Sequence, residues 1–144
     1  MVSYDRFVVG GFESSDDPKV LRVLAVFGAL QRRDWRALQG GVAQVAVLRF
    51  EGLSRYAGAY QGLGQIIALA AQFEERIVPF QSTIDKLEVV EDEVHATVNV
   101  SFRVPPGGVH RARLVERFLF DEDGRVAELV IAGEDQPALD EFLG

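Results

Sequence analysis

The sequence predicts an α+β domain: helices first, then a curved, mostly antiparallel sheet. Three observations carry this. Apolar residues recur at helical spacing in the first half, whereas alternating, β-rich runs fill the second. Short acidic or Pro/Gly clusters at 91–93, 105–108 and 121–124 punctuate those runs. Such turns join antiparallel neighbours, because parallel strands need a much longer crossover. A curved sheet wrapped on one face by helices is the simplest way to bury these faces.

At 144 residues the chain fits one domain, residues 1–144. A chain of this size buries roughly two-thirds of its unfolded surface. Residues 4–13 hold Tyr4, Phe7, Val8, Val9 and Phe12 around Gly10-Gly11, and 1–16 read as an N-terminal arm. Ser14-Ser15-Asp16-Asp17-Pro18 then starts a helix, with capping side chains and a proline tolerated in the first turn. Its stripe is Val20, Val23, Leu24, Phe27 and Leu30, and it runs to about Arg33. Asp34-Trp35-Arg36-Ala37-Leu38 opens a short second helix that ends near Gly40-Gly41. Residues 42–50 read as a strand and the glycine- and tyrosine-rich 52–62 as a loop. A third helix, from about Leu63 to Arg76, presents Ile66, Ile67, Leu69, Ala70 and Phe73.

Strands are expected at 80–90, 94–104, 109–120 and 125–132, and PALDEFLG as a short helix or frayed tail. On 94–104 the even positions are apolar, whereas His95, Thr97, Asn99, Ser101 and Arg103 share the other face. On the next strand Ala112, Leu114, Glu116, Phe118 and Phe120 share one face. Glu116 is the intruder. A carboxylate on an apolar face is desolvated unless paired or protonated, so its pKa rises and it can serve as acid or base near neutrality. Pairing with an interior Arg or Tyr, or solvation at the rim, is the structural alternative. The hairpin register decides what faces it. If Val104 pairs with Val109, Glu116 lies across from Thr97; a bulged or shifted register, favoured by the continuous apolar face of 94–104, sets it among residues such as Val98 and Val100.

Composition narrows the function classes. With no cysteine, neither a disulfide nor a thiolate site is available, and a cytoplasmic location is compatible. The net charge of −7 argues against a nucleic-acid partner, and Arg111, Arg113 and Arg117 read as a solvated strand face. No apolar run approaches the ~20 residues of a membrane span, and no signal peptide is expected. His95 and His110 lack ligand spacing, so no metal is expected. A His110–Glu116 relay is conceivable, since both are even positions of one strand, but His110 reads better as an exposed strand end. No P-loop or dinucleotide fingerprint is present, and no cofactor is expected.

Four features together resemble the NTF2-like superfamily, most closely its SnoaL-like polyketide cyclases and ketosteroid isomerases. They are the first helix ending in Arg33-Asp34-Trp35, and the strand ending at Phe50 followed by the loop from Tyr56 to Gly62. The others are the strand-rich second half and Phe120-Asp121-Glu122-Asp123-Gly124-Arg125-Val126. The likeness covers roughly residues 18–136. It implies a cone-like mixed sheet wrapped by about three N-terminal helices, a homodimer, and a pocket for a small hydrophobic carbonyl compound. Isomerase, cyclase or dehydratase chemistry would follow, or non-catalytic binding or assembly on the same fold.

Ketosteroid isomerases place a protonated Asp five residues before the acidic turn, and the matching residue here is Glu116. Their tyrosine donor falls near Val26 and their general base near Phe50, between Arg49 and Glu51, so those two groups have no counterpart. The Asp-Arg-Asp set of limonene-epoxide hydrolases has none either, with Leu129 and Ile131 on the final strand. The expected catalytic residue is Glu116. The expected ligand contacts are Phe27, Phe50, Tyr56, Tyr60, Phe73, Phe102, Phe118, Leu129 and Ile131, the two tyrosines as donors at the mouth or as packing aromatics. Phe80 and Phe120 add to the apolar interior.

Overall fold

A computed structural model describes residues 17–77, 81–103 and 107–144, except for the side chain of Glu74. The expected arm at 1–16, Phe80, Val104 and the Pro105-Pro106 break lie outside the described residues. Helix α1 (Pro18–Arg32) starts where the sequence signals it: the Asp17 side chain accepts from the Lys19 N–H at 2.8 Å, with Pro18 in the first turn. It ends at Arg33, which is left-handed at φ 56° and returns its N–H to the carbonyls of Ala29 and Leu30. Helix α2 (Trp35–Gly41) follows at once, capped by Asp34, whose carboxylate accepts from the Ala37 N–H at 3.1 Å. Asp34→Ala should cost about 1 kcal/mol in urea unfolding, because a helix this short has little else to satisfy its first N–H groups.

Strand β1 (Val42–Phe50) leads through a turn into a short strand β2 (Gly58–Gln61) and then helix α3 (Leu63–Arg76). The 52–62 segment is therefore not loop throughout, since Gly58–Gln61 pairs with Val47–Phe50. Strands β3 (Gln81–Val90), β4 (Glu93–Arg103), β5 (Val109–Phe120) and β6 (Val126–Gly133) follow, and helix α4 (Gln136–Leu143) closes the chain. The six strands form one sheet in the order β2-β1-β6-β5-β4-β3. Every pair is antiparallel except β1 with β6. The result is the cone-like α+β architecture, with helices on the inner face of a curved mixed sheet.

The β5–β6 turn is built as its sequence suggests. One Asp121 carboxylate oxygen accepts from the N–H groups of Asp123 and Arg125, and Gly124 takes φ 77°. Between β4 and β5 the pairing is continuous, with Arg103 opposite Val109 and Ala96 opposite Glu116. The register is thus shifted by one residue from a Val104–Val109 pairing, without a bulge. Ala96, not Val98 or Val100, faces Glu116 directly, while Val98 faces Leu114 and Val94 faces Phe118. One consequence is uniform: Val94, Ala96, Val98, Val100 and Phe102 are buried, and the odd positions of β4 form the outer face. There His95 Nε2 lies 2.9 Å from Glu93, which also accepts from Arg117 at 3.1 and 3.2 Å. Arg117, then His95, hold the Glu93 carboxyl below the usual range. Arg113 pairs with Asp85 and Glu134 on the same outer side.

Candidate active site in the cone

Between the sheet's inner face and the helices lies a cavity of about 620 Å³. Phe27 of α1, Phe50 of β1, Phe73 of α3, Phe102 of β4, Phe118 of β5, and Leu129 and Ile131 of β6 line it. Leu139 and Leu143 of α4 add a further wall. Each of these faces inward for a local reason: the aromatic and aliphatic stripes of the helices and the alternation of the strands deliver one side of every element to the same space.

Glu116 is in this wall and only 8% exposed. Its row across the sheet runs Ala96, Glu116, Ile131, Phe50, and Leu114 and Phe118 flank it along β5. Among the described residues the carboxyl has neither a hydrogen-bond nor an ion-pair partner, so pairing with an interior Arg or Tyr is not its explanation. Burial pushes its pKa up to about 7, from 4.5. At neutral pH the group is therefore divided between acid and conjugate base, the condition for moving a proton in either direction.

Tyr56 and Tyr60 are elsewhere. Neither lines the cavity. Tyr56 is buried with its ring 4.7 Å from that of Phe73, so it backs the cavity wall from behind. The Tyr60 hydroxyl donates to the Tyr56 carbonyl at 2.6 Å, and burial, then the neighbouring Tyr56, raise its pKa. Its hydrogen bond is spent on the backbone four residues earlier. His110 does not reach Glu116, since they are six positions apart on one strand, or about 20 Å. Rather than standing exposed, its ring is half-buried and stacks on Phe142 at 4.5 Å, which pins α4 to the sheet.

The sequence reading missed the polar end of the cavity. Gln31, Arg33, Trp35, Gln81 and Ser82 also line it. They gather at the α1–α2 corner and the start of β3, which are tied by a bond from Gln31 Nε2 to the Ser82 carbonyl at 3.2 Å. Arg33 and Gln81 are the only exposed residues among the described lining, so this is where the cavity meets solvent. One signal was available: Gln31 lies four residues after Phe27, a polar residue continuing the buried stripe of α1.

Fold and site together define a cone-shaped α+β domain that encloses a cavity, with one buried carboxyl among the described residues. The SnoaL-like domain family matches residues 23–129, and the chain belongs to that family. Among curated proteins none matches in sequence. Solved structures share the fold. The Bal32a protein from a soil-derived mobile gene cassette is 21% identical, with 89% of this chain and 98% of that one covered, at a TM-score of 0.81. An NTF2-like protein from Burkholderia xenovorans is 19% identical over 90% and 98%, at 0.75. A candidate SnoaL-like polyketide cyclase from Jannaschia is 19% identical over 88% and 91%, at 0.70. Among the described residues no helix is long and apolar enough to cross a membrane.

Proposed function

We propose that this chain is an acid/base enzyme acting on a small hydrophobic carbonyl compound, as an isomerase, cyclase or dehydratase, with Glu116 carrying the proton. The observation that supports this most is the unpartnered Glu116 carboxyl in the wall of an apolar 620 Å³ cavity. Its carboxylate form takes a proton from the carbon next to the substrate carbonyl. The C–H electron pair moves into an enolate, and the protonated form returns the proton to another carbon or to a leaving oxygen. The apolar walls bind the skeleton and exclude water. The outer sheet face, with Val115 and Val130 half-buried on it, would join two copies as a homodimer. The absence of cysteine suits a cytoplasmic protein.

The test is proton exchange. β,γ-unsaturated ketones and β-keto esters of polyketide type are incubated with the protein in deuterated buffer, and label uptake is followed by NMR. Glu116→Gln should slow exchange about a hundredfold or more with the fold unchanged. Equal rates in the two proteins remove Glu116 from the mechanism. A second reading, a ligand-binding or assembly module without catalysis, draws support from Tyr60. Its hydroxyl is committed to Tyr56, and no second side-chain donor among the described lining stands in the Glu116 row. Saturable binding without any label uptake would decide for it.

A further inference from the structure

We infer that the cavity binds hydrophobic amines in their protonated form, with the Glu116 carboxylate as the counter-ion. The inference shares with the reading above the cavity as a ligand site, and it does not depend on proton transfer to carbon. Glu116 stands in the middle of the wall, between Leu114 and Phe118 along β5, with Ala96 and Ile131 beside it on the neighbouring strands. Its carboxyl is open to the cavity. It has no partner among the described residues, yet no buried side-chain oxygen there lacks one, so neither of its oxygens is sealed inside the protein. No titratable group faces it: α1, α3 and α4 present apolar side chains to the cavity, as the strands do. The one other ionisable residue in the described lining is Arg33 at the α1–α2 corner, which has an interaction of its own. Burial alone shifts the Glu116 carboxyl, with no charged neighbour contributing.

Desolvation decides which ligand charge suits this carboxyl. An anion would lose its water in an apolar enclosure beside a group that itself ionises. A neutral ligand leaves the ionised carboxylate without a counter-charge. An ammonium supplies both the charge and N–H donors, and such charge-assisted bonds are the strong ones. Burying an ion pair ordinarily takes two ions out of water. Here the carboxylate is already out of bulk water in the folded chain, so binding adds only the desolvation of the amine. Aromatic faces attract cations, and Phe118 is next to Glu116 on its strand while Phe50 is in its row. The skeleton of the amine buries against the apolar walls. The chain's net charge of −7 also draws cations towards it. One linked effect follows. A bound ammonium favours the ionised carboxyl, so an amine that binds below neutrality displaces the Glu116 proton into solution.

1-Adamantylamine and 1-adamantanol share one rigid apolar skeleton and differ in charge. Each is titrated calorimetrically against the protein at pH 8, where Glu116 is ionised and the amine is protonated. The wild-type protein should bind the amine about tenfold more tightly than the alcohol, the scale of one charge-assisted hydrogen bond. Glu116→Gln should bring that ratio to about one. Glu93→Gln, which removes a carboxylate from the outer sheet face, should keep it. A second measurement needs no variant. At pH 6, where Glu116 is mostly protonated, each amine bound should release close to one proton, and at pH 8 almost none. The release is read from the dependence of the binding heat on the ionisation enthalpy of the buffer. Equal affinity for the two probes in the wild type, a preference that survives in Glu116→Gln, or binding at pH 6 without proton release overturns the inference while the cavity remains a ligand site. Binding of neither probe overturns it together with the cavity as a ligand site. An amine preference in a protein that shows no label uptake would support this inference and decide against the acid/base reading.

Discussion

Glu116→Gln should make the folded chain more stable at pH 8 by about 3 kcal/mol, with the gain absent at pH 4. The sign follows from where the proton sits. Burial raises the carboxyl from 4.5 to about 7, so between those values the folded state holds a proton that the unfolded state releases. Raising the pH therefore favours unfolding across that window. Below pH 4.5 the carboxyl is neutral in both states and its folded-state burden disappears; above about 7 the full cost of a buried carboxylate applies. Glutamine is neutral throughout and nearly the same shape. The difference in unfolding free energy between the two proteins should thus be near zero at pH 4 and climb to its plateau near pH 8. Urea unfolding at a series of pH values measures it, and taking the difference cancels the titration of the other carboxylates. A difference independent of pH would mean that Glu116 titrates as an ordinary exposed acid. A residue that weakens the fold at the pH where it is half-ionised fits a functional role, in which stability is given up for reactivity.

Phe118→Ala is expected to cost about 3 kcal/mol, the lower end of the range for a buried phenylalanine. Its ring is 2% exposed, facing Val94 on one neighbouring strand and Leu129 on the other. Truncation removes the contacts on those sides. On the remaining side the ring already borders the cavity, so fewer partners lose packing there than in a solid core. The cavity grows instead of collapsing, because the sheet's backbone pairing holds its floor in place. Urea unfolding should show a lower midpoint with an unchanged slope. A loss under 1 kcal/mol would show that the ring is loosely held. The same substitution should admit bulkier compounds beside Glu116.

Much of this molecule was legible before its structure. The stripe of α1, the break and short helix at Asp34-Trp35, the span of α3 and the alternation in β4 and β5 are local patterns, and local patterns survive into the fold. The place of Glu116 was legible for the same reason, since strand parity alone sets it on the apolar face. What escaped depends on pairing at a distance. Gly58–Gln61 became a strand because Val47–Phe50 stands beside it, and four residues carry too little pattern to announce that. Tyr60 was expected at the mouth, as a donor or a packing aromatic, from its place beside the glycine loop; its hydroxyl goes to a backbone carbonyl, a partner that every sequence hides. Arg33 and Gln81 are 48 positions apart and meet only through the packing of α1 on the sheet. The one-residue register shift had to be weighed against its alternative, because the Pro-Gly turn admits both.

The parallel pairing of β1 with β6 has a kinetic meaning. β3 to β6 follow one another as a meander whose neighbours are close in sequence, so their contacts close short loops. β1 reaches β6 across about eighty residues: Leu48 pairs with Leu129, and Arg49 holds Glu128 at 2.6 Å. Long closures carry a larger entropic cost before any contact compensates them, and chains dominated by such contacts fold more slowly. Phe50 and Ile131, which stand in the Glu116 row, belong to these two strands. Assembly of the chamber around the carboxyl is therefore expected to follow the meander, because it depends on a contact of long sequence separation.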